Sequence, residues 1–138
     1  MSALDEFLAS FSGGDAICEI AGGEARTTRI LIRMNDPRIA TGPDFDLITD
    51  VDLTDKHEQH AFWQYRRRRK PKVCVMSQMC RSFGGWSRLH KVTNQGTWQH
   101  NYDTVDKPLA KFAGEVAQEQ FADELDFVNE QPVGSTLY

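Results

Sequence analysis

Short apolar runs alternate along this chain with longer segments whose apolar residues recur every three or four positions. Runs of the first kind predict β-strands, and segments of the second kind predict helices that bury one face. The predicted strands are 16–21, 45–53, 73–76 and 125–130, and the predicted helices are 24–34, 55–69 and 106–121. This order favours an α/β fold, a mostly parallel sheet flanked by helices in a single domain.

The beginning of the chain is predicted to form a separate packing element. Leu4, Phe7, Leu8 and Phe11 follow helical spacing, so residues 2–11 predict a short amphipathic helix that lies over the sheet. We therefore divide the chain into an N-terminal packing helix, 1–14, and the α/β domain, 15–138.

Composition narrows the class of protein. The chain has 138 residues, of which 40% are hydrophobic and 26% charged, and this suits one globular domain with its own core. Its net charge of −4 argues against a protein that coats nucleic acid generally. No segment predicts a membrane span or a signal peptide. Three cysteines, two of them in apolar strand-like runs, favour a reduced, intracellular setting over a disulfide framework.

The first predicted strand passes directly into a glycine turn and a helix, as Rossmann-type nucleotide-binding units do. Gly22 and Gly23 would let the backbone approach a ligand, and the helix N-terminus offers free N–H groups. Asp50 and Asp52 lie where an acid can accept hydrogen bonds from ribose hydroxyls. The same acids can cap the following helix, and both interpretations stay open. The predicted fold is therefore Rossmann-like.

The stretch 72–89 predicts a buried strand followed by a functional loop. The apolar run stops at Ser77, and a small polar turn carries Cys80 and Arg81. A cysteine beside a cation suits nucleophilic attack, because the cation favours the thiolate. A small cysteine after a buried strand also occurs for packing alone, which is the alternative.

Two further stretches carry charge. Residues 81–104 predict a long polar loop in which Trp86 and Trp98 lie among Arg88 and Lys91. This pattern suits nucleic-acid binding, but the same tryptophans would also pin such a loop to the domain. The basic run 66–70 suits a solvated helix end, with phosphate contact as the alternative. His57 and His60 lie one turn apart without a third ligand nearby, so we predict no metal site.

In their order, the motifs at the predicted strand ends resemble those of DNA cytosine-5 methyltransferases, which use S-adenosylmethionine. EIAGGEA at 19–25 resembles the acidic, glycine-rich motif that cradles the cofactor. The segment 52–54 is similar to the short Asp-containing motif near the adenine. SQMCRSF at 77–83 resembles the Pro-Cys nucleophile motif, and NEQP at 129–132 resembles the Glu-Asn-Val motif.

The resemblance implies roles for individual residues. Cys80 would attack a pyrimidine C6, with Arg81 beside it and Glu130 donating a proton to the ring nitrogen. The implied S-adenosylmethionine contacts are Glu19, Ala21, Gly22, Gly23, Asp50, Asp52 and Ser77. The implied nucleic-acid contacts around a flipped base are Arg88, Lys91, Trp86 and Trp98.

The sequence also departs from the family pattern. Ala25 stands where glycine is usual, Met79 replaces the proline, and Gln131 replaces the asparagine. The later arginine-bearing motif and a target recognition domain do not follow. Shortened segments of this kind also resemble parts of retroelement-type polyproteins. The alternative function is therefore a non-catalytic, degenerate module of the same fold, a subunit whose site a partner protein would complete.

Overall fold

The computed structural model describes residues 16–37, 39–78, 82–84, 87–131 and 135. The predicted N-terminal helix, 2–11, lies outside these residues. Strands and helices alternate along the described chain. The elements are β1 (Ile17–Ile20), α1 (Arg26–Met34), β2 (Thr41–Phe45), α2 (Lys56–Arg69), β3 (Val73–Met76), α3 (Ser87–Thr93), α4 (Gln95–Asn101), α5 (Lys107–Ala122) and β4 (Asp126–Asn129). A 3-10 helix, Leu47–Thr49, follows β2, and a π-helical segment, Tyr102–Asp106, leads into α5.

The four strands form one parallel sheet in the order β2-β1-β3-β4. The chain goes from β1 outward to β2 and then returns past β1 to β3. The direction of strand addition therefore reverses between β1 and β3, and open α/β sheets bind ligands at such a point. The predicted Rossmann-like α/β fold is confirmed.

The core lies on one face of the sheet, beneath α2 and α5. The buried strand residues on this face are Cys18, Ile20, Phe45, Cys74 and Met76. Phe62 of α2 and Phe112 of α5 cover them, and their ring centroids lie 5.2 Å apart, edge to face. Glu19 alternates with Cys18 and Ile20, so α1, which contacts Glu19, packs on the other face.

Arg66 joins α2 to α5 from the inside of the molecule. Its guanidinium is buried and lies 2.9 Å from a carboxylate oxygen of Glu119 and 2.8 Å from one of Asp123. Its Nε donates to the Gln120 side chain at 2.9 Å. The prediction of a solvated basic run is therefore wrong for Arg66, although Arg67 and Arg68 are exposed. A buried guanidinium is strongly destabilising without a partner, so this contact is structural.

The second strand differs from the prediction. The predicted strand 45–53 is wrong, because β2 spans Thr41–Phe45 and a 3-10 helix follows it. Asp46 starts that helix: its Oδ1 accepts from Ile48 N at 2.9 Å, and its own N–H donates to Thr49 Oγ1 at 3.3 Å. Pro43 fits inside β2 because β2 is an edge strand of the sheet.

The described part of 81–104 is mostly helical, so the prediction of a long loop is wrong there. Two short helices, α3 and α4, and the π-helical segment occupy it. Trp98 is buried and stacks on Tyr102, with centroids 5.0 Å apart and an interplanar angle of 9°. Helices this short are marginal alone and depend on tertiary contacts, which the local sequence does not reveal.

Candidate functional site

A cavity of about 360 Å³ opens at the carboxyl ends of β1, β2 and β3. It lies where the direction of strand addition reverses, and its size is in the range of small-molecule sites. Main-chain hydrogen bonds hold the strand ends together, from Ala21 N to Phe45 O at 2.8 Å and from Ser77 N to Ile20 O at 3.0 Å. The lining residues are Ala21, Phe45, Asp46, Leu47, Val51, Asp52, Leu53, Thr54, Ser77, Val105 and Leu109.

The side chain of Glu19 reaches from β1 to the first turn of α1 and accepts hydrogen bonds there. This carboxylate is only 3% exposed, and its Oε2 accepts hydrogen bonds from Thr28 N at 3.1 Å and Thr28 Oγ1 at 2.5 Å. In nucleotide-binding folds, the free N–H groups of this turn receive a phosphate. Here a carboxylate of the protein already uses one of them and places a negative charge beside the others.

Two acidic side chains at the end of β2 accept hydrogen bonds from the backbone of the glycine turn. Gly22 N donates to Asp44 Oδ1 at 3.3 Å, and Gly23 N donates to Asp46 Oδ2 at 3.0 Å. A Cβ at Gly22 would lie 3.0 Å from Asp44 Oδ1 and 3.0 Å from Glu19 Cβ, and Gly23 has a φ of +56°. Packing and backbone geometry therefore account for both glycines.

The turn and the cavity are electrostatically negative. Burial, the neighbouring Asp46 and Glu19 together raise the pKa of Asp44 to about 6, and the hydrogen bond from Gly22 acts against this rise. Asp46 and Asp52 belong to the cavity wall, and the described lining residues include no lysine, arginine or histidine. The cavity therefore favours a cationic ligand group over an anionic one.

The structure brings some of the predicted cofactor residues together and leaves others apart. Ala21, Asp52 and Ser77 line the cavity, whereas Glu19, Gly22 and Gly23 lie outside its lining, in the strand end and turn that carry its wall. Asp50 is exposed and ends the 3-10 helix with a φ of +60°. Asp52 also accepts from Thr54 N and Oγ1, at 3.0 and 2.6 Å. Asp55 is the N-cap of α2.

Sequence reasoning missed Asp46 as a cavity residue, because the predicted strand continued past it. The spacing of Asp46 and Thr49 is that of a reciprocal helix cap, and this local signal places the strand end at Phe45. Val105 and Leu109 come from the π-helical segment and α5. No local pattern connects these two residues with the strand ends.

The predicted catalytic group is described only in part. Ser77 Oγ donates to Glu130 Oε2 at 3.3 Å, so the ends of β3 and β4 are joined through side chains. Cys80 and Arg81 lie outside the described residues. The nucleophile and its partners therefore stay a prediction.

The predicted nucleic-acid residues lie on α3 and α4. Arg88 and Lys91 are exposed, and Trp86 lies outside the described residues. Trp98 is buried against Tyr102, and Lys91 Nζ lies 4.8 Å from the centre of its ring. The indole of Trp98 therefore contacts Tyr102 and Lys91 rather than solvent.

A second cavity, of about 390 Å³, lies beside this indole and is lined by Ser82, Phe83, Ser87, Lys91, Trp98, Gln99 and Tyr102. The hydroxyl of Ser82, one of these lining residues, donates to the buried carboxylate of Asp106. Asp106 is the last residue of the π-helical segment and the N-cap residue of α5, and its side chain makes no cap hydrogen bond to that helix.

Within the described ranges, no group of three or more His, Cys, Asp or Glu side chains is placed to hold a metal ion. In that same part of the chain, no helix has the length and apolar character needed to cross a bilayer. Comparison of the chain with protein-family models, curated protein sequences and solved structures gives no match.

Proposed function

We propose that the cavity at the carboxyl edge binds S-adenosylmethionine or a related adenosine ligand with a positively charged tail. The observation that carries this proposal is the charge of the site. Asp46 and Asp52 belong to the wall, no cation is among the described lining residues, and Glu19 occupies the first turn of α1. A phosphate would be repelled at each of these places, whereas a sulfonium or ammonium group would be attracted.

The apolar part of the cavity suits an adenine ring. Leu47, Val51 and Leu53 supply apolar surface, and Asp46 follows directly after β2. Each carboxylate oxygen of Asp46 accepts one hydrogen bond, from Gly23 N or from Ile48 N. Each oxygen can accept two, so Asp46 keeps capacity for the hydroxyls of a ribose.

Binding can be tested by thermal shift, because a ligand that binds only the folded state raises the melting temperature. S-adenosylmethionine should raise it most, S-adenosylhomocysteine, which lacks the sulfonium charge, should raise it less, and ATP and NAD⁺ should leave it unchanged. A shift with ATP or NAD⁺ and none with millimolar S-adenosylmethionine would refute the proposal.

Two neighbouring leucine-sized side chains give a matched test of the cavity. Leu47 and Ile48 are 70% and 68% exposed, but only Leu47 lines the cavity. Leu47→Ala should weaken binding by roughly five- to thirtyfold, the loss expected from about 1–2 kcal/mol of apolar contact. Ile48→Ala should leave the Kd from titration calorimetry unchanged. Equal effects of the two substitutions would place the ligand elsewhere.

Methyl transfer to cytosine is the activity that the resemblance adds to this proposal. S-adenosylmethionine supplies an electrophilic methyl group when bound. Cys80 would add to C6 of the base while Glu130, held by Ser77, protonates the ring nitrogen. After C5 receives the methyl group, loss of the C5 proton to solvent and elimination of the Cys80 thiolate would restore the ring. Cys80→Ser should abolish transfer of labelled methyl to DNA while binding of the cofactor persists. Unchanged transfer would remove Cys80 from this role.

A second candidate function, a non-catalytic module of a larger assembly, is supported by β4. This edge strand exposes apolar side chains on both faces of the sheet, with Phe127 at 42% and Val128 at 53% exposed. Such a pattern is typical of an interior strand, and unprotected edges pair with other chains. If this function holds, Val128→Lys should abolish the association of this chain with other chains, as measured by light scattering. Binding of S-adenosylmethionine should not change.

A further inference from the structure

Two cysteine thiols meet in the centre of the sheet. Cys18 of β1 and Cys74 of β3 are direct partners in the register of the two strands. Their sulfur atoms lie 3.3 Å apart, which is closer than two sulfurs in ordinary packing contact. Both side chains are fully buried, and the two sulfurs are not bonded to each other.

The backbone at this position suits a disulfide. Neighbouring strands lie about 4.7–4.9 Å apart, and disulfides join Cα atoms that are about 4.4–6.8 Å apart. Cys18 and Cys74 point to the same face of the sheet, beneath α2 and α5. The sulfurs need to approach by only about 1.2 Å to reach bonding distance.

We propose that Cys18 and Cys74 form an oxidative modification site, in which a peroxide converts the thiol pair into a disulfide that joins β1 to β3. One sulfur, as the thiolate, attacks a peroxide oxygen, the O–O bond breaks, and a sulfenic acid and water result. The second sulfur then attacks the sulfenic sulfur, the S–O bond breaks, and a second water leaves. Two thiols and one hydrogen peroxide thus give one disulfide and two waters.

Burial and contact act on different steps. Peroxide reaches these sulfurs only when the fold opens locally, so burial makes the first oxidation slow. Once one sulfur is oxidised and the fold closes again, its partner lies in contact with it and peroxide is excluded, so the second step outruns further oxidation. The geometry therefore decides the product, and the stability of the core decides the rate.

The disulfide would join β1 to β3, the two strands that lie on either side of the point where strand order reverses. β1 leads to Ala21 and β3 leads to Ser77, and both of these residues line the cavity. The disulfide would also join residues 56 positions apart, which restricts the unfolded chain. We expect the oxidised protein to melt roughly 5–15 °C higher than the reduced protein.

The test uses the full chain and a Cys80→Ser background, which removes the third thiol. The wild-type chain and the Cys80→Ser variant are each treated with a small excess of hydrogen peroxide, quenched, denatured and alkylated. Their peptides are then analysed by mass spectrometry without reduction. Cys18 and Cys74 should lose alkylation together, and a cross-linked peptide should appear that dithiothreitol releases. Melting of the oxidised and reduced forms, followed by circular dichroism, gives the second measurement.

Several results would overturn the proposal. They are full alkylation of both residues after oxidation, sulfinic acid at either residue without a cross-link, or a disulfide that uses Cys80 in the wild-type chain. Cys18→Ala and Cys74→Ala provide the controls, since each should prevent the cross-link in any molecules that fold. None of these measurements involves the proposed ligand, so this inference and the proposed function can fail separately.

Discussion

Glu19 and Thr28 are joined by two hydrogen bonds that close the first turn of α1 onto β1. Glu19 Oε2 accepts from the Thr28 backbone N–H at 3.1 Å and from its hydroxyl at 2.5 Å. The connection that nucleotide-binding folds use for a phosphate therefore contains a buried carboxylate of the protein. This contact decides the charge of the adjoining site, and it can be tested directly.

Thr28→Val should destabilise the protein by about 1–3 kcal/mol, because a buried carboxylate loses a donor that valine cannot replace. Thr27→Val is the matched control. The Thr27 hydroxyl makes no hydrogen bond within the described chain, so its loss should change stability by less than about 0.5 kcal/mol. Urea unfolding measures both. Equal effects would show that the hydroxyl contact contributes nothing.

Gly22→Ala should destabilise the protein by about 1–3 kcal/mol, because the new methyl would press on Asp44 and Glu19 in a packed turn. Gly114→Ala should have the opposite sign. Gly114 lies in α5 with open space around its Cα, so alanine should stabilise the helix by up to about 1 kcal/mol. The two variants are compared by chemical unfolding, and a stabilising Gly22→Ala would contradict the observed packing.

Ala25→Gly should stabilise the protein by about 0.5–1 kcal/mol, since Ala25 has a φ of +53°, a conformation that is costly for any residue with a Cβ. Ala61→Gly, at an exposed position inside α2, should instead cost about 1 kcal/mol. Thermal melting distinguishes the signs, and a loss of stability in both variants would refute the strain argument.

Asp44→Asn should stabilise the protein at neutral pH. The pKa of Asp44 rises from its ordinary value of 3.8 to about 6 in the folded protein, so between these values the folded state binds more protons than the unfolded state. Wild-type stability should therefore fall as the pH rises through this window. Asparagine cannot ionise, so the variant does not carry the cost of a charged carboxylate at this position. Its side-chain oxygen can still accept a hydrogen bond from Gly22. After allowance for solvent screening of this half-buried group, we expect a gain of about 1 kcal/mol at pH 7.

The pH series provides the control for this prediction. Near pH 4, both proteins carry an uncharged group at position 44 in the folded state, so the two free energies of unfolding should converge. A difference that stays constant from pH 4 to pH 8 would assign the effect to packing rather than to charge. Urea unfolding at several pH values measures the difference.

Local pattern was sufficient for several elements. The helical spacing between Asp55 and Arg69 predicted α2, and the apolar run at Val73–Met76 predicted β3, because strong periodicity and abrupt boundaries depend only on neighbouring residues. The same logic failed at β2, where Gly42 and Pro43 interrupt the apolar pattern and the predicted strand began only at Phe45. An edge strand tolerates proline, but only the sheet order shows which strand lies at the edge.

The candidate site divides in the same way. The sequence by itself determined that acids and glycines lie at the ends of short strands, since these residues follow apolar runs directly. Only the tertiary structure decided that Glu19 faces the first turn of α1, that Asp46 rather than Asp50 lines the cavity, and that Val105 and Leu109 complete its wall. These contacts join residues far apart in the chain, and they depend on the register of parallel strands and on the helix that packs above them. Local sequence does not encode such distances, which arise when apolar surfaces bury one another.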